Sequence, residues 1–435
     1  MTLTADSASG VRRTHAQALL RRHARTTLNA FVALWVFSGA VVMFEPAPYE
    51  VLFLAVLGLM LLAGTGVHRG TLGLLTLIAG FTPFAFIAVF QARMMETPMA
   101  LLYSGVTIFL MVTSFAVANY VADAPEARMR VINRAYLWAA LLSAVLGIVG
   151  YLGLVPFSEL LVRYDRAKAL FNDPNVFGPF LVLPAMVALR VVLMQRGRSA
   201  LWNGLAVLIL FVGVFVSFSR GAWAHFAASA LIVIALTYVL EAKARDQVRI
   251  IMLALAGTLV LMLALAALLS IEPVANLFLQ RFSLTQSYDT GDTGRFGRIG
   301  YAFELAVTHP WGLGPMEFST LSIVEQPHNT YLNVIHAYGW GGGALYIALI
   351  LITLWKGFVA VLAPSPIRPL LIPVVATYIP LIALSAIIDT DHWRHFFLVT
   401  GLIWGLAAAV PGAISASAPR AAPSRRSRRN SPRSS

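Results

Sequence analysis

Two side chains that could take part in a reaction lie next to each other at the start of an apolar segment. His328 and Asn329 open the stretch HNTYLNVIHAYGWGGG, which is largely apolar. Histidine accepts a proton near neutral pH, so His328 is a candidate general base. The same residues allow a structural interpretation, in which Asn329 caps the helix that follows and His328 hydrogen-bonds to the preceding loop.

Arginine is the second residue type that indicates chemistry here, because its planar guanidinium group binds phosphate through paired hydrogen bonds. Arg220 interrupts a long apolar stretch within SFSRGAW. Arg295 and Arg298 lie three residues apart in GRFGRIGYAFELAVTHP. These three arginines are therefore candidates for binding an anionic group.

The segment that carries Arg295 and Arg298 also has an amphipathic pattern. Its apolar residues recur at helical spacing: Phe296, Ile299, Phe303 and Val307. This pattern predicts a helix that lies on a membrane surface, with the two arginines facing lipid headgroups. An ordinary interfacial helix whose arginines only extend toward water is the alternative.

The composition places these residues in a membrane protein. The chain has 435 residues, of which 59% are hydrophobic and 12% charged, whereas roughly 25% of the residues of an average soluble domain are charged. No cysteine is present, which excludes disulfides, thiolate metal sites and a thiol nucleophile. We therefore predict an all-α polytopic membrane protein.

Apolar segments long enough to cross a bilayer recur along the whole chain. We predict about twelve spans, at 28–44, 51–67, 71–90, 99–121, 133–155, 175–194, 200–218, 221–240, 248–270, 330–355, 369–388 and 395–411. Residues 200–240 would form a single helix of about 60 Å, twice the hydrocarbon thickness. The chain must therefore reverse at SFSRGAW, which puts Arg220 at a membrane face.

The distribution of Lys and Arg predicts the orientation and the domains. Most of them fall on the side that holds both termini, which indicates cytoplasmic termini. We predict a basic cytoplasmic arm at 1–27, a polytopic domain at 28–412 and a disordered Arg/Ser/Pro-rich tail at 413–435. A large periplasmic loop at about 271–329 would hold the interfacial helices. The net charge of +13 then reflects topology, and we expect no nucleic-acid partner.

Nine cationic residues fall on the outer side: Arg93, Arg163, Arg166, Lys168, Arg220, Arg281, Arg295, Arg298 and Arg394. Arg93 and Arg281 are expected to be solvated loop residues. Asp389 and Asp391 have the spacing of a carboxylate pair, but two carboxylates on a short loop are commonly solvated, so we predict no metal. His225 and His336 lie in apolar runs and are predicted to be packing residues.

The motifs together resemble the O-antigen ligase and polymerase superfamily. They are FNDPNVFGPF (171–180), SFSRGAW (217–223), GRFGRIGYAFELAVTHPWGLGPMEF (294–318) and PHNTYLNVIHAYGWGGG (327–343). Each motif is weak by itself, but their order is specific.

This resemblance implies transfer of a glycan from an undecaprenyl-pyrophosphate carrier to a sugar hydroxyl, with inversion and without a metal or another cofactor. It implies catalytic roles for His328, Arg220 and Arg295. Substrate-binding roles are expected for six further residues: Arg298, Asn329, Arg163, Arg166, Lys168 and Asn175. The protein would lie in the bacterial inner membrane among membrane lipids, with its active site on the periplasmic face.

The acceptor remains open at this stage. A ligase would use lipid A-core, whereas a polymerase would extend another glycan, and no residue separates the two. A secondary transporter or lipid flippase is a third hypothesis, although such proteins usually carry ionisable residues near the middle of their spans. A structural scaffold is the remaining alternative.

Overall fold

The computed structural model describes residues 22–44, 46–282, 294–321 and 326–417, and these residues are almost entirely helical. The helices are α1 (22–38), α2 (Pro48–Ala63), α3 (Leu72–Val89), α4 (Thr97–Asp123), α5 (Pro125–Tyr151), α6 (Ser158–Leu161), α7 (Pro174–Phe180), α8 (Val182–Met194), α9 (Arg198–Val216), α10 (Arg220–Leu240), α11 (Ala244–Leu269), α12 (Glu272–Phe282), α13 (Arg295–Thr308), α14 (Thr330–Leu362), α15 (Arg368–Leu384) and α16 (Arg394–Ser417). Short 3-10 turns occupy Arg69–Thr71 and Glu317–Thr320. Two short strands, β1 (Val162–Arg163) and β2 (Arg166–Ala167), pair antiparallel.

Each predicted span coincides with a helix, or with the consecutive pair α7 and α8. Among the described residues, nine helical segments are long and apolar enough to cross a membrane, and α2 and α15 are shorter apolar helices. The all-α polytopic architecture is confirmed, whereas the number of twelve spans stays a prediction. Among the described residues of 271–329 are the two helices α12 and α13, whereas the periplasmic position of this loop stays a prediction.

Helix boundaries differ from the predicted spans where charged residues continue a helix. The fifth span was predicted to begin at residue 133, but α5 begins at Pro125, directly after Ala124. Proline suits the first turn of a helix because its missing N–H would have no partner there. A span predicted from hydropathy ends at charged residues, whereas the backbone hydrogen bonds of a helix continue through them.

Several loops meet at one end of the bundle, which we call the His328 end. Val42 N donates to Leu170 O at 2.9 Å, which joins the loop after α1 to the loop before α7. Arg394 at the start of α16 pairs with Glu50 at the start of α2 at 2.7 Å. These contacts agree with the predicted assignment of the same loops to one side.

The opposite end is held by arginines that bind helix termini and acidic side chains. Arg190 pairs with Glu241 at 2.7 Å. Arg368 donates to the carbonyl oxygens of Leu240 and Ala363, at the ends of α10 and α14. Cations near helix C-termini are favourable because they offset the partial negative charge of the free carbonyl groups.

Packing within the bundle is uneven. Helices α4 and α16 approach closely, since a Cβ atom at Gly401 would come within 2.5 Å of Ser114 O. By contrast, Ile250 is the one buried residue among those of α11. Helix α14 bends at Gly339, whose φ of 71° favours glycine.

Candidate active site

His328 lies immediately before α14 in an uncommon backbone conformation. Its φ is 53°, in the left-handed region. Histidine tolerates this region better than most residues, and such conformations are concentrated at functional sites. The next residue, Asn329, caps α14, because its Oδ1 accepts a hydrogen bond of 3.1 Å from Leu332 N. The capping interpretation of Asn329 is therefore confirmed.

Asp389 is the partner of His328. The imidazole Nδ1 lies 3.3 Å from Asp389 Oδ2, and the two side chains are 37% and 21% exposed. The other carboxylate oxygen, Oδ1, is buried and has no hydrogen-bond partner among the described residues. The expectation that Asp389 is simply solvated was wrong. Its signal in the sequence is position, because DTDHW separates two apolar segments at the predicted outer side.

The turn before Arg220 is buried and strained. Helix α9 ends at Val216 and α10 begins at Arg220, so the chain reverses where predicted. Ser219 caps α10 by accepting a hydrogen bond of 3.4 Å from Ala222 N. Phe218 has a φ of 45° although it is 1% exposed. An aromatic residue rarely adopts this conformation unless its surroundings impose it, so the turn holds Arg220, which is partly buried, in a defined place.

The C-terminus of α15 brings the Arg220 turn and the His328 loop together. A Cβ atom at Gly221 would come within 2.5 Å of Leu384 Cδ1, so α10 begins against the end of α15. The following residue, Ser385, accepts a hydrogen bond of 2.8 Å at its carbonyl oxygen from Thr330 N. His328 and Arg220 therefore lie at the same end of the bundle and are linked through two consecutive residues.

Arg166 and Asn175, which were predicted to bind substrate, bind each other. Arg166 is 7% exposed. Its Nη2 donates to Asn175 Oδ1 at 2.7 Å, and its Nε donates to Ser217 O at 2.8 Å. Because these groups are already occupied within the protein, we revise their role. They hold the turn before Arg220 against the start of α7.

Arg163 and Lys168 lie in the same hairpin but point to different surroundings. Arg163 is exposed, donates to Asn172 O at 2.8 Å and stacks over the ring of Tyr164. Lys168 Nζ donates to Phe171 O at 3.1 Å. Burial lowers the pKa of Lys168 from its ordinary value, and the charge of Arg163 lowers it further. Their roles in substrate binding stay predictions.

Helix α13 is rotated so that Arg298 faces the protein and not, as predicted, the lipid headgroups. Arg298 is 4% exposed and lies on the same face as the buried Ala302 and Leu305. Phe303 and Val307, 61% and 53% exposed, form the outer face. The prediction that Arg298 faces outward was therefore wrong. Spacing alone left the rotation of the helix undetermined. The side chain of Arg295 lies outside the described residues.

Glu317 anchors the loop between α13 and α14, and the sequence analysis did not single it out. Its carboxylate is 4% exposed. It accepts hydrogen bonds from three consecutive backbone N–H groups, those of Arg93, Met94 and Met95, at 3.1, 2.7 and 3.0 Å. Successive N–H groups of this kind form a concave anion-binding surface. Arg93 itself is exposed.

Asp391 is buried, contrary to prediction. It is 2% exposed, and its Oδ2 accepts hydrogen bonds from Tyr103 at 2.8 Å and from Asn333 at 2.9 Å. Burial raises the pKa of Asp391 above its ordinary value, while the neighbouring His392 acts in the opposite direction. The loop between α15 and α16 is thus attached to α4 and α14.

The two histidines predicted to be packing residues are both buried. His225 Nε2 lies 3.0 Å from Thr377 O. His336 stacks on Phe318, but neither of its ring nitrogens has a hydrogen-bond partner among the described residues. Among all the residues that the structure describes, no group of three or more His, Asp or Glu residues is arranged to hold a metal ion.

Comparison with known proteins supports the resemblance that the motifs suggest. Residues 205–347 match a family model described as O-Antigen ligase. This segment runs from α9 into α14 and includes Arg220, Arg295 and His328. The search of curated proteins gave no match. The resemblance to the O-antigen ligase and polymerase superfamily is therefore supported over residues 205–347, which are about a third of the chain.

Proposed function

We propose that this protein is an inverting, metal-independent glycosyltransferase. It would move a glycan from an undecaprenyl-pyrophosphate carrier to a sugar hydroxyl of lipid A-core, as an O-antigen ligase in the bacterial inner membrane. The observation that carries the proposal is the contact of 3.3 Å between His328 and Asp389, at the end of the bundle where Arg220 begins α10.

The paired carboxylate gives His328 a defined chemical role. Asp389 would accept a hydrogen bond from the Nδ1–H group of His328, which leaves Nε2 unprotonated and able to take the proton of the acceptor hydroxyl. As that O–H bond breaks, the oxygen bonds to the anomeric carbon of the donor, and the bond from this carbon to the phosphate oxygen breaks. The electron pair leaves with the carrier pyrophosphate, and His328 then releases its proton to water.

Arginine would stabilise the leaving group in this reaction. The departing pyrophosphate gains negative charge, and a guanidinium group placed in advance lowers the barrier by neutralising it. Arg220 at the start of α10 is the first candidate, because its turn is held by Arg166 and Ser219. Arg295, which begins α13, is the second.

Transfer by the purified protein in detergent tests the proposal. The assay supplies undecaprenyl-pyrophosphate-linked glycan and lipid A-core, and it follows the attachment of glycan by gel mobility. Product that depends on His328 supports an enzyme. Absence of transfer both to lipid A-core and to another lipid-linked glycan, together with movement of the lipid-linked glycan across the membrane of vesicles, would instead support a flippase.

A polymerase of the same superfamily is the second candidate, because the family match does not distinguish a ligase from a polymerase. The two functions differ in the acceptor. A polymerase would lengthen the lipid-linked glycan when no lipid A-core is present, whereas a ligase would leave its length unchanged. A deletion strain separates them as well, since loss of a ligase lets lipid-linked polymer accumulate and loss of a polymerase lets single repeat units accumulate.

A further inference from the structure

We infer that Thr330 is a positioning residue that fixes Asp389 against His328. This inference rests on the proposed function. Thr330 is fully buried and lies two residues after His328. Its hydroxyl group donates to Ile388 O at 3.0 Å and accepts from Thr390 N at 2.7 Å. These are the residues on either side of Asp389, so one hydroxyl group fixes the backbone on both sides of the carboxylate.

The surroundings of Thr330 make this arrangement rigid. Ser385 and Thr390 are also fully buried, and their hydroxyl oxygens lie 2.6 Å apart. The Thr390 hydroxyl lies 3.2 Å from that of Thr330. Water does not compete with hydrogen bonds in such a place, and a fully satisfied buried network holds a single geometry. The backbone on both sides of Asp389 is therefore fixed to Thr330, two residues after His328.

A small displacement of Asp389 would matter for the reaction. The distance of 3.3 Å between His328 and Asp389 is already slightly longer than an ordinary hydrogen bond. A shift of about 1 Å at a catalytic group can lower the rate about 100-fold. Without the Thr330 hydroxyl group, Thr390 N and Ile388 O lose a partner, and the loop must shift to satisfy them.

The loop has a second attachment that keeps it folded when Thr330 is changed. Asp391 binds Tyr103 and Asn333 on the other side of the loop. We therefore expect loss of the Thr330 hydroxyl group to move Asp389 without detaching the loop. This separates a positioning effect from a loss of structure.

The test compares three substitutions of Thr330 in the detergent transfer assay. We expect Thr330→Val to lower kcat about 10-fold to 100-fold and to leave the KM for the lipid-linked donor unchanged. Thr330→Ser keeps the hydroxyl group and should restore kcat to within about threefold of the unmodified protein. Thr330→Cys, a weak donor and acceptor, should fall between them. If the valine variant does not fold, the order of serine over cysteine decides the question, and equal rates for these two would overturn the inference.

A double-mutant cycle shows whether Thr330 acts through Asp389. In an Asp389→Ala background there is no carboxylate left to position, so Thr330→Val should not lower kcat further. Multiplicative losses in the double variant would overturn the inference. Thr377→Val is the matched control, because Thr377 is 1% exposed and its hydroxyl group donates to Pro373 O within its own helix.

One further variant separates this inference from the proposed function. If His328→Ala transfers glycan at the normal rate, the mechanism fails and the inference fails with it. If His328→Ala is inactive but Thr330→Val keeps the normal kcat, only the positioning role of Thr330 fails.

Discussion

The guanidinium group of Arg166 donates a hydrogen bond of 2.8 Å to the carbonyl oxygen of Ser217. The same guanidinium group donates a second hydrogen bond, of 2.7 Å, to Oδ1 of Asn175. Arg166 is almost completely buried, so an unpaired partner could not be satisfied by water. The start of α7 and the turn before Arg220 therefore hold each other in place.

Arg166→Met should destabilise the protein and lower transfer, because both hydrogen bonds are lost while the apolar stem remains. We expect a loss of about 2–4 kcal/mol in the free energy of unfolding. Thermal unfolding in detergent, followed by tryptophan fluorescence, measures it. Arg163→Met is the control, since Arg163 is exposed and should change stability by less than about 0.5 kcal/mol. Equal effects of the two substitutions would contradict the role of Arg166.

His328→Ala should abolish transfer without unfolding the protein. Removal of a general base typically lowers the rate about 10²-fold to 10⁴-fold. His328 is partly exposed, so the melting temperature should hardly change. The initial rate of glycan transfer measures the effect. His68→Ala, a change before α3 at the opposite end of the bundle, is the control, and a comparable loss of transfer in that variant would point to a general defect.

The sequence predicted the positions of the helices well, because length and hydropathy determine them directly, whereas the orientation inferred from the Lys/Arg bias stays a prediction. It also indicated His328 as a candidate general base, because the polarity of this residue contrasts with the apolar segment that follows. Asp389 was missed as its partner, because 61 positions separate the two residues in the sequence. Only the end of α15, packed against α14 and α10, brings them together.

Roles that depend on which way a side chain points were harder to predict. Arg166 and Arg298 carry the same guanidinium group as Arg220, but burial shows that they face the protein. The sequence shows their charge and spacing, but it does not show the partners that offset the desolvation cost of a buried arginine. Asp391 was taken to be solvated for the same reason.

Glu317→Ala should loosen the segment between α13 and α14, because three backbone N–H groups lose their acceptor. Each hydrogen bond to a charged group is worth about 1.5–3 kcal/mol, but the backbone N–H groups of the exposed Arg93 and Met94 can bind water instead. We therefore expect a loss of about 2–4 kcal/mol in the free energy of unfolding. Thermal unfolding measures it. Glu304→Ala removes an exposed carboxylate of α13 and serves as the control. Unchanged stability of the Glu317 variant would show that the loop is held by other contacts.

Asp391→Asn should change how stability depends on pH. Burial raises the pKa of Asp391 in the folded protein, so the unfolded chain releases this proton at a lower pH than the folded protein does. Stability is then highest while Asp391 is protonated, and it falls as the pH rises from the ordinary aspartate pKa to the raised value. The loss is about 1.4 kcal/mol for each pH unit by which the pKa is raised. Asparagine has no proton to release and can still accept hydrogen bonds from Tyr103 and Asn333.

The melting temperatures of the two proteins should therefore diverge as the pH rises above about 4, the ordinary aspartate pKa, with the asparagine variant becoming relatively more stable. A variant that instead becomes relatively less stable as the pH rises would show that the charged form of Asp391 is the favoured one in the fold. In that case the hydrogen bonds from Tyr103 and Asn333 outweigh the desolvation of the carboxylate.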